Sequence, residues 1–146
     1  MKNIKGEEFD TKALQEQAAS FHGQGFNCAQ SVACALGPEL GIEGEAARKM
    51  MAGFGMGMGG MSETCGAISG GVAAIGYATS SGPQTNASKR QAYQASRQLV
   101  SRFRDKNTST ICRELKGAGC NHPPLRSCAG CIDDAIELTV EILQKM

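Results

Sequence analysis

The sequence has no tryptophan, two tyrosines and five phenylalanines in 146 residues. So few aromatics leave no platform on which bases could stack, which argues against a binder of single-stranded nucleic acid. Excess charge is equally small. Fifteen Lys and Arg stand against 14 Asp and Glu, for a net charge of +1. Nothing in that balance draws the chain to nucleic acid or to an anionic membrane surface. Histidine is limited to His22 and His122. Neither has a sequence neighbour with which to form a nucleophile–base pair, so nucleophilic catalysis is poorly supported. No Gly-Lys-Ser/Thr follows a glycine run and no strand precedes one, which excludes a phosphate loop. The first ten residues, MKNIKGEEFD, lack the apolar centre of a secretory signal. A cytoplasmic, reducing setting is therefore expected.

Charge is also missing from Thr64 to Ser88. That length invites a membrane-spanning reading. The stretch contains Ser69, Ser80, Ser81, Gln84 and Asn86, breaks at Gly82-Pro83, and is rich in Ala and Gly. No membrane insertion is expected, and residues Glu63 to about Thr79 read as the central buried helix of a bundle. Strand patterns and internal repeats are absent too. The remaining segments read as helices. Thr11–Phe21 places Leu14, Ala18 and Phe21 on one stripe. Asn27 caps a helix that begins at Cys28 and stops at Gly37-Pro38. Glu45–Ala52 is a short helix. Thr85–Arg104 is long and amphipathic, with Ala92, Leu99 and Phe103 inward and Lys89, Arg90, Arg97, Arg102 and Arg104 as a solvated basic face. A short helix starts near Cys112. The last begins at Cys131 and buries Ile132, Ala135, Ile136, Val140 and Leu143. The expected fold is one all-α domain over residues 1–146, a compact bundle of about six helices.

What the chain has in abundance is small and sulfur-bearing: 19 glycines, seven cysteines and seven methionines. Gly53 to Gly71, GFGMGMGGMSETCGAISGG, holds eight of those glycines and Cys65. Ser62 is placed to cap a helix starting at Glu63, with Cys65 in its first turn. Thiolates are favoured at helix N-termini by unpaired N–H groups and the macrodipole. Met50, Met51, Met56, Met58 and Met61 are expected to fill irregular gaps in the core.

Cys28, Cys65, Cys112 and Cys131 all fall at or near a helix start in this reading. If those starts converge, four thiolates meet in a field that favours negative charge. That suits a four-thiolate metal or iron–sulfur site, or a reactive dithiol. Cys34 lies on the opposite helix face from Cys28 and reads as a small core residue. Cys128-Ala129-Gly130-Cys131 is a C-x-x-C without the βαβ context of a thioredoxin. Ile132 follows it where a c-type haem would need His. With Cys120 and His122 it forms a local set that zinc would accept, although both histidines read more simply as ordinary loop residues.

The combined pattern resembles the redox-active protein family named for its C…C-G-A-x-x-G…C…C cysteines. The matching residues are Phe26-Asn27-Cys28-Ala29-Gln30, the glycine loop, Cys65-Gly66-Ala67-Ile68-Ser69-Gly70, Cys112-Arg113-Glu114-Leu115 and Cys131 with the last helix. The resemblance spans about residues 10–145. It implies a core of Cys28, Cys65, Cys112 and Cys131, and a helical fold similar to the non-haem part of split-Soret cytochromes, a region associated with an iron–sulfur centre. Cys34, Cys120 and Cys128 lie outside that pattern.

The expectation is thus a redox-active protein whose four cysteines bind an iron–sulfur cluster, most simply [2Fe–2S], for electron transfer or redox sensing. Backbone N–H groups of Gly59, Gly60 and Gly66 are expected to approach the cluster sulfurs. A metal-free thiol–disulfide protein, with Cys65 as the attacking thiol, is one alternative. A structural zinc domain is the other. The expected partners are an unidentified redox protein and, through small-residue helix faces, a second copy of the chain.

Overall fold

The computed structural model describes all residues, 1–146. Eight helical segments follow one another: α1 Thr11–Gly23, α2 Cys28–Leu40, α3 Gly44–Met50, α4 Gly55–Met58, α5 Gly66–Thr79, α6 Asn86–Asn107, α7 Cys112–Lys116 and α8 Cys128–Gln144, with a 3-10 turn at Ala52–Phe54. The all-α expectation holds. The expected count of about six helices is corrected to eight; one of the added segments is the short α4, into which the glycine loop itself winds.

Local chemistry explains the starts. Asp10 accepts the Ala13 N–H at 3.1 Å and caps α1. Asn27 caps α2 in a reciprocal box with Gln30, which satisfies donors on both residues. Thr85 and Ser88 do the same for α6. Three expected boundaries differ. α2 does not stop at Gly37-Pro38; Pro38 is exposed in its last turn, and Gly41, at φ 88°, ends it. Ser62 is not a cap, and α5 begins at Gly66 with Cys65 as N-cap. The cause is pairing with a distant strand of chain: Cys65 N–H donates to Thr110 C=O, Cys112 N–H to Glu63 C=O and Arg113 N–H to Met61 C=O, at 2.8, 2.9 and 2.8 Å. Those bonds pair the chain around Thr64 with Ile111 and leave no helical turn at Ser62. Finally, α8 starts one turn early, because Ser127 accepts the Gly130 N–H and makes Cys128 its first residue.

The core is built on three parallel helices, α2, α5 and α8. A Cβ on Gly66 would meet the Ala29 nitrogen at 3.1 Å, and one on Gly70 would meet the Ala29 carbonyl oxygen at 2.7 Å and the Ala33 nitrogen at 3.3 Å. Residue numbers therefore rise together along α2 and α5. Likewise Cys65 and Cys131 line one cavity, and Gly71 lies against Thr139 further along α8. α6 runs the other way along α8: Asn107 bonds Asp134 and Arg102 pairs with Glu141. α1 is also antiparallel to α8, with Gln15 donating to the Asp133 carbonyl at 3.1 Å. Phe103, Leu36, Ile68, Ile75, Leu99, Ile132, Ile136 and Leu143 are fully buried between these helices. The packing leaves three long helices starting at one end, which concentrates N-terminal N–H groups there.

Glycine is not needed everywhere along α5. A Cβ on Gly76 would meet nothing within 4 Å. Gly76→Ala should therefore stabilise the protein by roughly 0.5–1 kcal/mol through helix propensity. A urea titration would measure it, and a loss of stability would show that this helix face is packed.

The methionines depart from expectation. Met51 is buried, but Met50, Met56 and Met58 are 75%, 47% and 51% exposed. Met56, Gly57, Met58, Gly59 and Met61 all have positive φ, so the loop winds left-handed. Gly57, at φ 55°, packs against Cys112 Cβ and the Glu63 carbonyl, and the methionines beside it turn outward. No helix is long and apolar enough to cross a membrane.

A candidate five-thiol redox site

A cavity of about 120 Å³ opens where α2, α5 and α8 begin, lined by Cys28, Cys65, Cys112, Cys128 and Cys131 together with His22, Met56, Gly66, Leu115, Lys116 and Arg126. Each thiol arrives by a separate local rule. Cys28 is the first residue of α2, fixed by the Asn27 cap. Cys65 is the N-cap of α5, held by its N–H bond to Thr110. Cys112 opens α7 on the opposite side of the same extended pairing. Cys128 and Cys131 stand three residues apart on α8, which puts both on one face.

The thiols stand in pairs. Cys28 and Cys128 perturb each other, and so do Cys65 and Cys131. Cys128 is pulled down to about 5, first by Cys28 and then, against burial, by Lys116 and His22. Cys28 is pushed up by Cys128 and by burial. Cys65 is lowered by Cys131; burial opposes this, and the Ala67 and Ile68 N–H groups of α5 assist it. Cys131 is raised by Cys65 and by burial. Burial raises Cys112. For Lys116 burial opposes the ammonium, but Cys128, Cys112 and Cys28 outweigh it and keep the charge in place. No three Cys, His, Asp or Glu side chains surround a common point in the manner of metal ligands.

A second layer supports the cavity. Asp134, 1% exposed, accepts bonds from Arg126 at 3.0 and 3.1 Å, from Lys106 at 2.7 Å and from Asn107 at 3.0 Å. It holds Arg126 beside Cys131, one turn earlier on the same helix.

The family profile described as "Putative redox-active protein (C_GCAxxG_C_C)" matches residues 26–142. The chain belongs to this family. No curated protein and no solved structure matches it.

The family's label writes Gly-Cys-Ala-x-x-Gly, whereas this member carries Cys65-Gly66-Ala67-Ile68-Ser69-Gly70. The structure gives that order a reason. Gly66 and Gly70 are one turn apart on the face of α5 that touches α2, so the motif sets both the cysteine and the contact that brings Cys28 to it.

All four cysteines singled out in the sequence, Cys28, Cys65, Cys112 and Cys131, line the cavity, and so does Gly66. Gly59 and Gly60 are exposed and do not line it; the left-handed winding of the loop carries them outward. Cys34 is buried elsewhere. The local Cys120–His122–Cys128–Cys131 set does not assemble. The Cys120 thiol turns to the Ala118 carbonyl at 3.6 Å, and His122 faces the Pro123 carbonyl at 2.8 Å. Sequence reasoning left Cys128 outside the four-cysteine core and missed His22, Lys116 and Arg126. For Cys128 the signal was present: Ser127 is a good cap, and C-x-x-C on a helix presents both thiols on one side. The three basic side chains carried no local signal.

Proposed function

We propose that this family member is a redox protein whose cavity holds an iron–sulfur cluster on Cys28, Cys65, Cys112 and Cys131, for electron transfer or redox sensing. The observation that carries this reading is the meeting of thiols from α2, α5, α7 and α8 in one cavity that no carboxylate lines. The chemistry of the lining, five thiols and no carboxylate, supports such a group. A [2Fe–2S] centre takes four thiolates, and the cavity supplies them with one to spare. Such a cluster, when bound, supplies one-electron chemistry. The chain's own residues do the rest. The starts of α2, α5 and α8 favour the negative charge of clustered thiolates. Lys116 and Arg126 add positive charge beside them, and Leu115 and Met56 provide apolar wall. Burial of Cys65, Cys112 and Cys131 limits access of water, which tunes potential.

The test is metal and sulfide analysis of protein purified without oxygen, beside a visible spectrum. Iron and acid-labile sulfide in near-equal amounts are expected, with both falling by at least about tenfold in Cys65→Ser, the range for loss of a metal ligand or its support. Zinc at one equivalent without sulfide would replace this reading with the structural zinc site. Colourless protein without either would remove the cluster.

A further inference from the structure

The cavity holds one thiol more than a four-thiolate centre uses, and its thiols differ in depth. Cys65, Cys112 and Cys131 are buried, whereas Cys28 and Cys128 are partly exposed. Cys28 and Cys128 line the same cavity from the starts of α2 and α8. The accessible pair therefore sits at the mouth, and Cys65 with Cys131 forms the buried pair beneath it. Both mouth cysteines are the first residues of their helices, so the capped starts of α2 and α8 fix their approach.

Charge around the mouth is one-sided. His22, Lys116 and Arg126 line the cavity and no Asp or Glu does. Arg126 is already engaged by Asp134. Lys116 belongs to no ion pair. It lines the cavity with Cys128, and its ammonium stands 3.8 Å from the Met56 sulfur. A small anion entering the mouth would find this cation unneutralised by any carboxylate.

We propose that Cys28 and Cys128 form a dithiol that exchanges with small disulfides bearing carboxylates, and that Cys128 is the thiol such a disulfide meets first. This rests on the reading of the cavity as a redox centre and concerns the metal-free protein, in which Cys28 is free to react. In the first step the Cys128 sulfur attacks one sulfur of the disulfide RS–SR. The Cys128–SR bond forms, the S–S bond of the small disulfide breaks, and RS⁻ leaves. In the second step the Cys28 sulfur attacks the Cys128 sulfur, closes the Cys28–Cys128 disulfide and expels the second RS⁻. The two thiol protons pass to the departing thiolates. The protein pair loses two electrons, and the small disulfide gains them. Lys116 contributes by attracting the substrate's carboxylates to the cavity that it lines with Cys128.

The experiment uses the full chain, reduced and stripped of metal by chelation, at low salt. Oxidised glutathione serves as the anionic probe and cystamine as the cationic one. Peptide mapping should find the Cys28–Cys128 disulfide as the first product in the wild type. Cys28→Ser should stop at a glutathione adduct on Cys128. The initial rate with oxidised glutathione should exceed that with cystamine by about tenfold, the lower end of electrostatic steering. That ratio should fall toward one in Lys116→Gln and persist in Lys116→Arg. First reaction at Cys120, or a Cys65–Cys131 disulfide as first product, would overturn the assignment. A rate ratio near one in the wild type would overturn the preference for anions. Iron content of Cys128→Ser separates this proposal from the cluster reading. A variant that keeps iron and loses exchange supports the mouth dithiol. One that loses both makes Cys128 a ligand and overturns the division between mouth and centre.

Discussion

Gly70→Ala will destabilise the protein by about 1–3 kcal/mol, the usual cost of forcing extra volume into a packed core. The new Cβ would stand 2.7 Å from the Ala29 carbonyl oxygen, 3.0 Å from Val32 Cβ and 3.3 Å from the Ala33 nitrogen. Two of those three neighbours are backbone atoms of α2, so no rotamer change relieves the contact. The helices must part. Ala29 follows Cys28 directly, and Gly70 lies one turn beyond Gly66 and Cys65, so parting them also separates two of the cavity's thiols. Gly76→Ala, on the same helix, changes the same atoms and should act in the opposite direction, because its Cβ meets nothing. Equilibrium urea unfolding of the two variants would measure the contrast. Equal, small effects would mean that α2 and α5 do not approach as closely as described.

Asp134→Asn will lower stability at neutral pH by about 1.5–3 kcal/mol, the range for hydrogen bonds to a charged group. Its carboxylate is 2% exposed, while Lys106 and Arg126 are 47% and 38% exposed. Their exposure places the effect near the lower end, since solvent screens the cations and hydrates them after the substitution. The pH dependence follows from the direction of the shift. Burial by itself would raise Asp134, but the bonds from Arg126, Lys106 and Asn107 outweigh it and hold the carboxyl below its ordinary range. A group depressed in the folded state stabilises above its unfolded value, about 3.9 for Asp. That stabilisation is lost as pH falls through the folded value. Wild type and Asp134→Asn should therefore differ most at pH 7 and converge in acid below about pH 4. Urea titrations at both ends of that range test this. A gap that stays constant with pH would mean that shape, rather than charge, makes Asp134 matter. The consequence reaches the site, because Asp134 holds Arg126 against the first turn of α8.

The secondary structure was largely legible because its causes are local. A cap acts on N–H groups two or three residues away, and an apolar stripe repeats every three or four residues. Asn27 and Thr85 could therefore be read as starts, and Leu99, Phe103, Ile132, Ile136 and Leu143 as core. Where local reading failed, a distant partner had intervened. Ser62 lost its role because residues 61–65 hydrogen-bond to residues 110–113. The methionines of the glycine loop turned outward because Gly57 had to pack under Cys112. Cys131 was placed at the first position of α8 because its cap, Ser127, was taken for part of a loop.

The sequence by itself determined that Cys28, Cys65 and Cys112 stand at helix starts, that Cys131 lies in the opening turns of α8, and that an all-α chain carries them. Those properties follow from residues only a few positions apart. Only the tertiary structure decided that the starts meet. It did so through contacts between residues 41 and 66 positions apart in the chain, Gly70 on Ala29 and Cys65 on Cys131. The same long-range packing brought in Cys128, His22, Lys116 and Arg126 and sorted the thiols into two accessible and three buried ones. Such contacts depend on how closely parallel helices approach, which the small residues at 66 and 70 permit but do not by themselves specify.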